Sequence, residues 1–359
     1  MTDAAETIRD AAAAIRPLDA EAAAAARARQ AQLTKPAGSL GRLEELHVWA
    51  AGVRRTPAPA LRRGVIIVAA ADHGVAANGV SAYPQDVTAQ MLANFQRGGA
   101  AVNVLAAAAG AEVLVVDAGV IGAGAGERVH VAKTRSGTDD FTRGPAMTRA
   151  EAATLVAAGI ALARDQCAAG ADAIALGDMG IANTTAAAAL TSVLAGAPAP
   201  ATCGRGTGID DLTFAAKLRV IEAAIAVNRP DPADPLGAVA KVGGFEIALL
   251  AGVALGTAAA AVPVLLDGYP TTAAALVAAA IAPQAGAYML ASHLSAEPGH
   301  RIALDHLALR PLLELDMRLG EGTGAALALM LLGAALRIPN EMATFEAAGV
   351  SRTEHELRA

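Results

Sequence analysis

The chain has 359 residues and a formal charge of −6, with hydrophobic residues at 54% and aromatics at only 3%. It is long enough for one large core or two, but it lacks the basic patches and exposed rings that nucleic acid or an anionic membrane would require. Two cysteines, Cys167 and Cys203, are too few for a disulfide framework or a thiolate metal site.

In chain order, residues 1 to about 60 read as helical: alanine-rich, with scattered charges and the breakers Pro17 and Pro36. The opening Met1-Thr2-Asp3, soon followed by Glu6 and Asp10, does not resemble a secretory leader, so a cytoplasmic protein is expected. Short aliphatic strands are then predicted at 64–71, 112–117, 171–176 and 261–267. Helical stretches are predicted at 85–108, 149–169, 183–194, 211–227 and 244–259. This alternation predicts βαβ units, hence an α/β fold with a doubly wound, mostly parallel, Rossmann-like sheet. The uncharged stretch 247–266 imitates a membrane span, but Pro263 interrupts it and Gly252 and Gly256 dilute it. A buried helix followed by a strand fits better, and no membrane partner is expected.

The strand exits carry Asp with nearby Gly: Asp72-His73-Gly74, Asp117-Ala118-Gly119, Gly177-Asp178-Met179-Gly180 and Asp267-Gly268. In open parallel sheets ligands bind outside the carboxyl ends of the strands, so these exits are expected to form one wall of a site. Singly, each is an ordinary loop. Asp72-His73 is read as carrying a hydrogen-bonded structural histidine in preference to a catalytic base.

Four further segments could carry chemistry. Ser81-Ala82-Tyr83-Pro84, with Gln90 and Met91, could wall a flat aromatic ligand, or simply turn at proline into a helix. Asn183 or Thr184 can cap the helix after Asp178-Met179-Gly180, where a sugar-phosphate would meet free N–H groups. Gly204-Arg205-Gly206-Thr207-Gly208 could cradle an anion with Lys217 behind it, or be a plain glycine turn. It is neither a Walker loop nor a dinucleotide fingerprint. In Arg318-Leu319-Gly320-Glu321-Gly322-Thr323-Gly324 a carboxylate stands between glycines ahead of the apolar run 325–336. Such an acid either meets the helix dipole or is a base held in a dry pocket. His293, His300 and His306, with Glu297, lack the tight pair spacing of a zinc site, and Pro298-Gly299 argues against a helix there. No metal or cofactor is expected.

These segments, in this order, resemble the nicotinate-nucleotide:dimethylbenzimidazole phosphoribosyltransferase family across nearly the whole chain. The resemblance also rests on Lys35-Pro36, Gly38 to Glu44, Gly243-Gly244-Phe245-Glu246 and Ser292-His293-Leu294-Ser295. It implies a homodimer with a large α/β domain (61–338) and a small helical domain built from 1–60 and about 339–359. It implies transfer of phosphoribosyl from nicotinate mononucleotide to dimethylbenzimidazole in cobalamin nucleotide-loop assembly, with Glu321 as base and Asp178 as an auxiliary acid where the family commonly has Glu. The benzimidazole pocket would map onto Ser81, Tyr83, Gln90 and Met91, and the phosphate and ribose contacts onto Gly180, Gly204, Arg205, Gly206, Lys217 and Asp267. Asn183, Thr184, Thr207, Ser292, Leu319 and Gly320 are further substrate contacts expected from the same motifs. A relative that prefers another base, or a non-catalytic nucleotide-binding protein of the same fold, would carry much of the same pattern.

Overall fold

The structure is a computed structural model that describes residues 3–351 apart from 123–125 and 127. Residues 352–359, counted in the expected C-terminal part of the small domain, lie outside the described residues. The strands are β1 (Gly64–Ala71), β2 (Ala111–Gly119), β3 (Val129–Val131), β4 (Ala173–Met179), β5 (Val264–Leu266), β6 (Met289–Ala291), β7 (His293–Leu294) and β8 (Leu313–Glu314). The first helices are α1 (Ala4–Ala14), α2 (Ala20–Gln30), α3 (Arg42–Arg54), α4 (Val87–Gln96), α5 (Ala101–Ala109), α6 (Arg149–Ala168), α7 (Asn183–Leu194) and α8 (Ala199–Thr202). They are followed by α9 (Asp211–Asn228), α10 (Pro235–Val242), α11 (Phe245–Ala259), α12 (Tyr269–Ile281), α13 (Pro298–His306), α14 (Thr323–Glu341) and α15 (Phe345–Ala348).

Six strands form one parallel sheet in the order β3-β2-β1-β4-β5-β6. From β1 the chain builds outward through β2 and β3, then returns to β1's other side for β4. The topological switch point is therefore the gap between β1 and β4, where a ligand crevice belongs. β1 is buried along its whole length, and its side chains divide by parity. Val65, Ile67 and Ala69 join the core under α6, α7, α11 and α12, while Ile66, Val68 and Ala70 join the core under α5 and α14.

The scarcity of aromatics is explained by how closely these layers approach. A Cβ on Gly159 of α6 would run into Leu249 O of α11, and one on Gly252 into Val156 O. The span-like stretch 247–266 is this buried helix α11 followed by β5. Among the described residues, α14 alone is long and apolar enough to cross a bilayer, yet 56% of it is buried inside the protein.

Several boundaries differ from the sequence reading. The predicted helix 85–108 is two helices, broken where Gly98 turns left-handed at φ 75°. The last predicted strand starts only at Val264, because Ala261 is itself left-handed and Pro263 has no N–H to pair. Pro298 opens α13 instead of breaking it, as proline at the first helical position can. Helices α8, α10 and α12 and the short strands β3 and β6 to β8 fall outside the predicted elements.

Candidate active site

A cavity of about 330 Å³ opens at the carboxyl ends of β1 and β4, within the size range of small-molecule sites, about 300–1,000 Å³. Three helices begin on its wall: residues 182–184 lead into α7, 268–270 into α12 and 320–321 into α14. Helix starts direct positive partial charge toward the space, which suits an anion despite the net negative chain, although the first amides of α14 are already taken by Asp267. Neither α7 nor α12 has a side-chain cap. Asn183 and Thr184 do not cap α7 as expected; Ala182 holds that position at φ 75°. Their side chains instead bond to Asp178 and Lys217.

Glu321 is 5% exposed and lines the cavity. Its backbone is left-handed at φ 63°, between Gly320 at 84° and Gly322 at 92°, a conformation a non-glycine residue adopts only when its surroundings enforce it. The enforcement is visible on both sides. Glu321 N donates to Asp178 O at 3.1 Å, and Gly177 packs so close that a Cβ there would lie 2.5 Å from Glu321 O. Asp267 accepts from Gly322 N (3.0 Å), Gly324 N (2.7 Å) and Ala325 N (3.0 Å), clamping the start of α14. Among the described residues the Glu321 carboxylate has one donor, Val102 N at 3.4 Å in the first turn of α5. Burial raises its pKa above the usual glutamate value, outweighing that single bond. A desolvated carboxylate of this kind is a stronger base than one in water.

Asp178 stands beside it on the same wall. Asn183 Nδ2 donates to Oδ2 at 2.9 Å, and Oδ1 has no partner among the described residues. Burial, reinforced by the nearby carboxylates of Asp267 and Glu246, lifts its pKa well above the ordinary aspartate value. Beneath the floor His73 Nε2 lies 2.9 Å from Glu246 Oε1, both side chains fully buried. Burial opposes the His73 cation, but Glu246 outweighs it and raises the pKa. His73 is thus a hydrogen-bonded structural residue with Glu246 as its principal partner.

One wall is apolar: Val80, Tyr83, Val87, Met91 and Leu319, with the Ser81 hydroxyl among them. Thr207 Oγ1 accepts from Ala82 N at 3.1 Å, tying this wall to the glycine loop. Of the expected residues, Ser81, Tyr83, Met91, Asp178, Gly180, Asn183, Thr184, Gly206, Thr207, Leu319, Gly320 and Glu321 meet around the cavity.

The others are placed differently. Gln90 is exposed, one position off the inward-facing Met91. Arg205 turns outward to Asp211, Ile209 O and the Phe214 ring. Gly204 packs its Cα against Glu297. Lys217 lies beneath the wall, its Nζ donating to Thr184 Oγ1 (2.9 Å) and Gly204 O (3.0 Å). Asp267 is occupied by the α14 amides, and Ser292 Oγ by Asp267 O (3.2 Å). The Lys217, Asp267 and Ser292 side chains therefore brace the cavity without lining it, whereas those of Gln90 and Arg205 do neither.

Residues that the sequence reading gave no substrate role also contribute. Glu297 lines the cavity and accepts from Gly206 N at 2.7 Å, so this loop amide already has a side-chain partner. His293 and Ser295 line it too. The only sequence signal was the Ser-His-Leu-Ser run and a failed metal spacing. Among the described residues no group of three or more His, Cys, Asp or Glu is placed to hold a metal.

Comparison with known proteins gives concordant matches. A family model described as a phosphoribosyltransferase matches residues 15–350. The chain is 54% identical over 344 residues to the nicotinate-nucleotide–dimethylbenzimidazole phosphoribosyltransferase of Desulforudis audaxviator, covering 95% of this chain and 97% of that one. It is 49% identical over 340 residues to the protein of that name from Geobacter sulfurreducens, covering 94% and 97%. A crystal structure of the Thermus thermophilus protein of that name superposes with a TM-score of 0.88 at 49% identity, covering 94% of this chain and all of that one.

Proposed function

The chain belongs to the nicotinate-nucleotide–dimethylbenzimidazole phosphoribosyltransferase family, and we propose that it transfers phosphoribosyl from nicotinate mononucleotide to dimethylbenzimidazole, releasing nicotinate and α-ribazole 5′-phosphate for cobalamin assembly. The ring nitrogen of nicotinate mononucleotide is cationic, so breaking its bond to C1′ releases a neutral pyridine nitrogen. That leaving group needs no acid. The incoming benzimidazole attacks C1′ through one nitrogen and must lose the proton on the other. A single base within hydrogen-bond reach completes the reaction, and in-line placement supplies much of the rate. Attack on the face opposite the leaving group converts a β bond into an α bond.

The single observation that carries this reading is Glu321: a buried carboxylate on the cavity wall, held in a left-handed turn, with one long bond among the described residues. Glu321 takes the azole proton while the Val80–Met91 wall receives the ring's apolar faces. The sugar-phosphate lies toward the uncapped start of α7. Asp178, whose surroundings hold its proton more tightly than an ordinary aspartate does, is the auxiliary carboxyl group beside Glu321. The same reading includes a homodimer acting in the cytoplasm; Tyr83 and Leu319, more than half exposed at the cavity, are apolar surface that a second copy can cover. It also includes a small helical unit from both chain ends, supported by the antiparallel Leu33–Thr344 bridge and the bond from Phe345 N to Gln32 O.

The test is direct. Purified protein given nicotinate mononucleotide and dimethylbenzimidazole should release nicotinate and form one riboside phosphate, of α configuration by nuclear magnetic resonance. A β product, or no nicotinate, refutes the reading. Competition among azoles, purines and phenols then ranks the acceptors.

A further inference from the structure

His293 occupies a position the proposed reaction has not used. It follows Ser292 directly after β6, is 1% exposed and lines the cavity. Its Nδ1 lies 3.1 Å from Ser292 Oγ, and the same hydroxyl lies 3.2 Å from the carbonyl oxygen of Asp267. A carbonyl can only accept, so the serine hydrogen belongs to Asp267 O. The serine oxygen then accepts from Nδ1–H. Asp267 Oδ1, 3.9 Å from Nδ1, draws the proton to the same nitrogen. The other nitrogen, Nε2, is left with a bare lone pair. It has no partner among the described residues, and the ring's Cε1–Nε2 edge lies across from Gly268, itself on the cavity wall. Burial lowers the imidazole pKa to about 4, which favours the neutral ring near pH 7.

A neutral acceptor in a cavity selects its ligand. It repels phosphate and carboxylate oxygens, which also offer only lone pairs, and it binds a hydroxyl. Glu297, four residues on and on the same wall, is a second acceptor. Opposite in character is the start of α7, which has no side-chain cap and turns the positive end of its dipole to the wall. The cavity thus has an acceptor side for sugar hydroxyls and an electropositive side for the phosphate.

We propose that His293 reads the sugar: its Nε2 accepts a hydrogen bond from the 2′ or 3′ hydroxyl of the ribosyl donor and fixes the ring's orientation for attack at C1′. This assignment rests on the transferase reading above, and the experiment separates the two. Nicotinate release is measured with nicotinate mononucleotide and with its 2′-deoxy and 3′-deoxy analogues, using the wild type, His293→Asn and His293→Gln. Asparagine keeps a polar atom near Nδ1 and loses the reach to the cavity, whereas glutamine reaches the place of Nε2. A site built for a hydroxyl rejects the analogue lacking it. One deoxy analogue should therefore lose about tenfold to a hundredfold in kcat/KM with wild type, mostly through KM. With His293→Asn the ribose substrate should fall to that level and the deoxy penalty should vanish, and His293→Gln should recover part of both. Wild type that uses all three donors equally overturns the assignment, even if neither variant folds, and so does a deoxy penalty undiminished in His293→Asn. Absence of release from nicotinate mononucleotide by wild type overturns the transferase reading itself, and this assignment with it.

Discussion

Two neighbouring acids acquire different characters from their surroundings. Asp178 is closed in by other carboxylates and has one donor, so its proton stays on well above the usual aspartate range. Glu321 lacks that crowding, and burial alone raises it. The folded state therefore holds the Asp178 proton more tightly than the unfolded chain does. The stability this contributes is complete below the unfolded value near 3.8 and is lost as pH rises toward the folded pKa. Asp178→Asn removes that loss. Its urea-unfolding free energy, compared with wild type, should gain from about pH 4 upward, by at most about 1.4 kcal/mol per pH unit. A difference that stays constant from pH 4 to 7 would mean Asp178 is not held protonated.

At the scale of elements, the start of α14 is the part the chemistry depends on. Its cap comes from the β5–α12 connection, where Asp267 binds three amides and burial still lifts its pKa to about 7. Asp267→Asn keeps a single acceptor oxygen and places a second donor against N–H groups. The expected cost is roughly 2–3 kcal/mol in urea or thermal unfolding, with a kcat loss of about tenfold or more as Glu321 loses its fixed position. Unchanged kcat alongside lowered stability would separate the clamp from the catalyst.

The sequence made part of this legible. Glycines on both sides of an acid and an apolar run behind it announced Glu321 and α14, and the continuous aliphatic runs announced β1, β2 and β4. Asp267 was picked out as a strand-exit acid, but its partners lie far along the chain and could not be read locally. Gln90 and Met91 looked alike as pocket residues, and only the helix phase decides which one faces inward. Strands of two or three residues, such as β3 and β7, have too few positions to show alternation. Their places come from the sheet around them.

For the whole molecule, the sheet order is what gathers the parts. Reversing the build direction between β1 and β4 opens one crevice, and α7, α12 and α14 all begin there. A chain of net charge −6 can then hold an anionic donor through the positive ends of local helix dipoles. Its acids remain within reach of the cationic leaving ring and the azole proton. As the proposed sole acceptor of that proton, Glu321 is tested most directly by the pH profile of single-turnover nicotinate release by Glu321→Gln and wild type. Wild type should lose rate as pH falls through the raised Glu321 pKa, whereas the variant should bind both substrates, keep its melting temperature and turn over about 10²–10⁴ times more slowly with no such limb. A variant that matches wild type in rate across that range would contradict the role given to Glu321.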